Sequence, residues 1–153
     1  MDTGSKAIDF SFKDRSGNQT SLFELLKEKV VILYFYPKDN TPGCTAQACS
    51  FRDAYQDFKD AGAEVVGVSS DSEESHEGFA EKQRLPFILV SDTNSDLRKK
   101  YNVPADMFGM IPGRVTYVID KTETIRYVFS SQLQFKKHAE KALEIIGFIN
   151  KGK

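Results

Sequence analysis

Two apolar runs, at residues 29–36 and 63–69, constrain this chain most. Each has strand length, and neither alternates polar with apolar as a half-exposed strand does; runs of this kind belong to strands buried on both faces. Between them Phe51, Ala54, Tyr55 and Phe58 recur at i, i+3, i+4 and i+7, which predicts a helix over 45–61 with Gly62 as its terminator. A strand, a helix and a second strand make a crossover unit, so the two strands are expected side by side and parallel.

The rest of the chain extends this pattern. Alternation about Ile8, Phe10 and Phe12 predicts a strand over 7–13, turned at 14–17. Ser21-Leu-Phe-Glu24 reads as a capping box that opens a short helix. Asp71 and Glu74 are candidate caps for a helix running to about residue 84. A third strand is expected at 87–90, a short helix at 95–101, a hairpin of 115–119 with 124–129 turned at Asp120-Lys121, and an amphipathic helix at 135–148. The expected class is α/β, a central mixed sheet flanked by helices with an N-terminal β-hairpin extension. This is compatible with a thioredoxin-like fold, although periodicity alone does not choose it over other α/β layouts. A length of 153 residues fits a single domain over 1–153.

With a net charge of −1, the chain has no basic excess with which to neutralise phosphates, so nucleic acid is not an expected partner. The lysine pairs 99–100 and 136–137 read as solvated helix faces. No apolar run approaches the roughly 20 residues that span a bilayer, so no membrane partner is expected either. The expected location is cytoplasmic, or a plastid if a transit peptide has been cleaved. Asp92, Asp96 and Glu81 read as solvated helix caps, and His76 and His138 as exposed helix residues.

The chain has two cysteines, five positions apart, a loop too short to staple a whole fold. They point to chemistry. In Tyr34-Phe-Tyr-Pro-Lys-Asp-Asn-Thr-Pro-Gly-Cys44-Thr-Ala-Gln-Ala-Cys49 a buried strand ends, and Cys44 follows where a helix begins. Strand C-termini are where ligands bind in α/β sheets. A helix N-terminus presents free N–H groups and a positive dipole end, which favour the nucleophilic thiolate. Thr41 could offer a hydroxyl to the sulfur or to a bound oxygen. Pro37 and Pro42 restrict the loop and could partly shield the sulfur. The plainer alternative, a cysteine that merely packs in the core, fits poorly with Pro-Gly and polar neighbours.

The spacing Pro37-x-x-x-Thr41-x-x-Cys44 resembles the active-site signature of peroxiredoxins. With Cys49 added, the string looks like the subgroup called peroxiredoxin Q or bacterioferritin comigratory protein. The similarity runs from about residue 4 to residue 147 and includes Phe10, the Tyr-Phe-Tyr-Pro strand end and Pro112-Gly-Arg114. One departure is Ile8, where the family usually has proline. The resemblance implies that Cys44 attacks the peroxide and Cys49 resolves the product as an intramolecular disulfide. It further implies that Thr41 hydrogen-bonds the thiolate and the peroxide, that Arg114 stabilises the thiolate and orients the oxygens, and that Pro37 shields the pocket. The implied partners are a hydroperoxide, either hydrogen peroxide or an organic one, and thioredoxin or a similar dithiol. A monomer is implied, and no metal or organic cofactor is required.

Geometry adds a constraint of its own. On one regular helix, five residues rise about 7.5 Å and turn about 500°, which sets the Cα atoms roughly 8.7 Å apart. A disulfide needs less than about 7 Å, so the 41–52 region is expected to unwind in every turnover. Other chemistries fit less well. Zinc would need about four ligands, a thioredoxin-type oxidoreductase a Cys-x-x-Cys, and a cysteine hydrolase a histidine base. A redox sensor or chaperone-like protein using the same disulfide as a signal stays open, with peroxide turnover as the discriminator. The apolar stretch 107–111 could wall an alkyl group, or be core or a protein contact.

Overall fold

The computed structural model describes residues 1–14, 16–103, 105–106 and 111–151, with 105, 106, 111 and 112 described by their backbone. In chain order the elements are β1 (Ser11–Lys13), β2 (Gln19–Ser21), α1 (Leu22–Leu26), β3 (Val30–Phe35), α2 (Pro42–Asp53), α3 (Tyr55–Asp60), β4 (Ala63–Ser69) and α4 (Glu73–Gln83). They continue with β5 (Ile88–Ser91), α5 (Asp96–Lys100), β6 (Ala105–Asp106), β7 (Ile111–Pro112), β8 (Val115–Ile119), β9 (Ile125–Ser130) and α6 (Lys137–Lys151). The central sheet has the order β5-β4-β3-β8-β9. Strand β3 is parallel to β4 and antiparallel to β8, so the sheet is mixed, as expected. The N-terminal strands β1 and β2 form their own antiparallel pair. No helix among the described residues is long and apolar enough to cross a membrane.

Every residue of β3 is buried, and its side chains divide between two cores because successive residues point to opposite faces. Val30, Ile32, Tyr34 and Tyr36 join Cys44, Ala48 and Phe51 of α2, Phe79 of α4 and Ile146 of α6. Val31, Leu33 and Phe35 join Leu22 and Leu26 of α1, Leu97 of α5 and Tyr117 of β8. Tyr34 stacks on Phe51 at 4.5 Å between centroids. Glycine is needed at position 67 for this arrangement, since a Cβ there would meet Tyr34 Cζ at 2.8 Å.

The structure departs from the periodicity in instructive places. The expected helix over 45–61 starts earlier and is broken. It opens at Pro42, whose fixed φ suits the first helical position. It stops at Asp53 because Ala54 turns to φ −93°, ψ 0°, and α3 restarts at Tyr55. The expected strand over 7–13 narrows to β1, because upstream the backbone pairs elsewhere, Lys6 bridging to Thr124. There Ile8 donates its N–H to the Tyr101 hydroxyl at 3.0 Å, a bond that a proline at this position could not make. Ser21 caps α1 by accepting from the Glu24 N–H at 3.2 Å, as the capping box requires. The cap of α4 is Ser72, which accepts from the Ser75 N–H, and Asp71 is used in the site below.

Both histidines are buried, which corrects the expectation that they are exposed: His76 is 4% exposed and His138 0%. Each satisfies both ring nitrogens inside the protein, which is what permits a polar ring to be buried. His138 Nε2 donates to the Ser131 carbonyl at 2.9 Å, and Nδ1 faces the Thr116 hydroxyl at 2.7 Å. Burial pushes the His138 pKa down to about 4. Asp92 is a cap, as expected, but a buried one, accepting from the N–H groups of Leu97 and Arg98.

Candidate active site

The site lies where β3 ends. Tyr36 leads into a loop in which Pro37 is half-buried and Asn40 takes a left-handed φ of 63°, a conformation that asparagine tolerates. Thr41 is the N-cap residue of α2. Cys44 is therefore the third helical residue, within the first turn, whose N–H groups have no intrahelical partners. It is 1% exposed.

Seventy residues further along the chain, Arg114 sits at the start of β8 and reaches the same point. Its Nη1 donates to Cys44 Sγ at 3.3 Å and to Gln47 Oε1 at 2.5 Å. Its Nε donates to the Gln132 carbonyl at 3.3 Å, and the guanidinium lies over the Phe135 ring at 4.8 Å. Arg114 is 5% exposed, so a fork of fixed donors is held in a largely dry pocket against the sulfur. Phe135 also covers Gly43. A Cβ at position 43 would meet Phe135 Cε1 at 2.6 Å and Arg114 Nη2 at 3.2 Å, so the ring and the guanidinium are seated here only because the residue is glycine.

The loop before α2 is anchored by a buried polar cluster. Asp39 Oδ2 faces His76 Nδ1 at 2.7 Å and accepts from the Ser75 hydroxyl at 2.8 Å, and Asp39 Oδ1 accepts from the Tyr36 hydroxyl at 2.5 Å. The Asp39 N–H donates to Asp71 at 2.8 Å, and His76 Nε2 donates to the Val90 carbonyl at 3.0 Å. Burial disfavours the Asp39 carboxylate, but the bonds from His76, Tyr36 and Ser75 outweigh it and hold its pKa below the usual value. Asp39, Asp71 and His76 bring potential ligand atoms within 4.8 Å of one another, yet the hydrogen bonds already engage these atoms. Arg98 ties the site together from the other core, donating to the Tyr36 carbonyl at 2.9 Å and the Gly113 carbonyl at 2.8 Å.

Of the residues singled out in the sequence, the fold brings Cys44 and Arg114 into contact. The Thr41 hydroxyl is turned away, donating to the Lys38 carbonyl at 2.8 Å. Cys49 is also on α2 but faces Gln83 of α4 at 3.6 Å, and both cysteines are free thiols. The apolar stretch 107–111 lies outside the residues whose side chains are described. Periodicity did not single out Gln47, Phe135 or Arg98. Gln47 had a readable signal, since it follows Cys44 by three residues and so shares its helix face. Phe135 and Arg98 had none, because only folding brings them to the site.

A thioredoxin-like sheet that presents a buried cysteine at a helix start to an arginine defines a thiol-based oxidoreductase. The comparisons narrow this. Residues 3–128 match the AhpC/TSA family. The chain is 51% identical over 143 residues to a chloroplastic peroxiredoxin Q of Sedum lineare, covering 94% of this chain and 76% of the relative. It is also 51% identical to one of Triticum aestivum, of which it spans 65%. The crystal structure of peroxidoxin BcpB from Mycobacterium tuberculosis superposes with a TM-score of 0.88 at 36% identity, covering 97% of this chain and 98% of that one. The chain belongs to the AhpC/TSA family, and within it to the peroxiredoxins related to peroxiredoxin Q, which are thiol-dependent peroxidases.

Proposed function

We propose that this protein reduces hydrogen peroxide and organic hydroperoxides through Cys44 and closes an intramolecular Cys44–Cys49 disulfide that thioredoxin or a similar dithiol reduces. The observation that carries the reading is the Arg114 guanidinium, 3.3 Å from a buried sulfur at the start of a helix. Those charges favour an anionic sulfur and an oxygen that gains charge beside it.

The cycle balances as follows. The Cys44 thiolate attacks the terminal peroxide oxygen. An S–O bond forms, the O–O bond breaks, and the leaving alkoxide or hydroxide takes up a proton. The sulfur is oxidised by two electrons to a sulfenic acid. The Cys49 thiolate then attacks Cys44, an S–S bond forms, and hydroxide leaves as water once protonated. An external dithiol returns two electrons and two protons by exchange. Arg114 donates to the thiolate and the oxygens, and Gln47, whose buried Nε2 has no hydrogen-bond partner among the described residues, holds Arg114 in place. The Thr41 hydroxyl would rotate from the Lys38 carbonyl towards the peroxide, and Pro37 would screen the loop side of the pocket. The protein acts in this reading as one domain and as a monomer, without a metal or organic cofactor. The names of both plant relatives place them in chloroplasts, which favours the plastid over the cytoplasm.

The test is peroxide consumption with a thioredoxin system. Multiple turnover supports the enzyme; a single stoichiometric oxidation would favour a redox sensor. Cys44→Ser should abolish the reaction. Cys49→Ser should keep the first oxidation and lose the disulfide.

A further inference from the structure

Gln83 is the last residue of α4, which Arg84 closes in the left-handed conformation at φ 56°. Its carbonyl is one of the last four of a helix, which have no intrahelical partners. Arg52 of α2 supplies one, donating Nη1 to the Gln83 carbonyl at 2.8 Å, and a cation suits the negative end of the α4 dipole. The Gln83 side chain in turn reaches Cys49, with Sγ and Oε1 at 3.6 Å. Residues 49 and 52 are three apart and share a face of α2, so this face is clamped at two points to one residue of a neighbouring helix. Residues beyond the clamp are firmly seated, Leu85 and Phe87 being almost fully buried.

We infer that Gln83 and Arg52 form a latch that keeps Cys49 on the intact helix and sets the rate at which the disulfide closes. This rests on the two-cysteine cycle proposed above. Peroxide attack on Cys44 needs α2 folded against Arg114, whereas disulfide closure needs Cys49 released. The latch acts on the second step and touches no atom of the first. Gln83 and Arg52 are positioning residues.

The experiment mixes the reduced full-length protein rapidly with hydrogen peroxide, quenches with a thiol-alkylating reagent and follows sulfenic acid and disulfide by mass spectrometry. Gln83→Leu keeps the side-chain bulk and removes the acceptor. Arg52→Met keeps the apolar stem and removes the charged donor. The peroxide-dependent first step should stay within about twofold of wild type in both variants. The peroxide-independent second step should accelerate about threefold in Q83L and about tenfold in R52M, as expected for losing a weak and a charge-assisted hydrogen bond. Acceleration of the second step alone in either folded variant supports the latch. A second step at or below the wild-type rate in both overturns it. A wild-type protein that forms sulfenic acid but no disulfide would sink the two-cysteine cycle, and the latch with it.

Discussion

Cys44 and Cys49 share one helix yet face different neighbours: the Cys44 sulfur lies 3.3 Å from Arg114, and the Cys49 sulfur points to Gln83 at 3.6 Å. A regular helix sets their Cα atoms roughly 8.7 Å apart, beyond disulfide reach. Oxidation to the proposed disulfide must therefore melt part of α2. Hydrogen exchange of backbone amides over residues 43–52 should be faster in the oxidised protein than in the reduced one by at least about tenfold, with the central strands unchanged. Equal protection of α2 in both redox states would rule the disulfide out.

Gly43→Ala tests the seat of the arginine. The added Cβ would stand 2.6 Å from Phe135 Cε1, so the ring must move and the guanidinium loses the surface it lies on. The ring is only partly buried and can swing outward, so the fold should survive. The rate constant with peroxide should fall about tenfold or more, the scale of a displaced catalytic donor. Stopped-flow kinetics beside a thermal melt would separate the two effects.

The Asp39–His76 pair is buried on both sides, so removing one partner strands the other. His76→Leu should destabilise the protein by about 3 kcal/mol, measured by urea denaturation. Adding Asp39→Asn should cost less than the sum of the two single changes, because the second substitution removes the stranded charge.

His138 contributes a dependence on acid. The folded ring has a pKa of about 4 against 6.5 unperturbed. Between these values the unfolded chain binds a proton that the folded chain refuses, so stability is fully present above pH 6.5 and falls as the pH drops towards 4. The loss is at most about 3 kcal/mol. Asp39 has a lowered pKa, so its contribution disappears only below the ordinary carboxylate value of 3.8, in a separate window. His138→Asn should flatten the slope of unfolding free energy between pH 6.5 and 4.5, and an unchanged slope would assign it to other groups.

Much of this molecule was legible in its sequence, for reasons of short range. The runs at 29–36 and 63–69 had no polar face to expose, so they had to be central strands, and the spacing of Phe51, Tyr55 and Phe58 required a helix between them. The position of Cys44 after a strand end and at a helix start followed from the same local signals. The tertiary structure decided what depends on distant partners. It cut the helix at Ala54, and it buried His76 and His138 because Asp39, Val90, Thr116 and Ser131 satisfy their rings. It placed Arg114 on the sulfur, with Gly43 making room and Phe135 and Arg98 holding the surroundings. It also turned the Thr41 hydroxyl to a local carbonyl and Cys49 to the end of α4. Periodicity records which side of an element is apolar. Which polar groups meet across 70 residues of chain is fixed only when the elements pack.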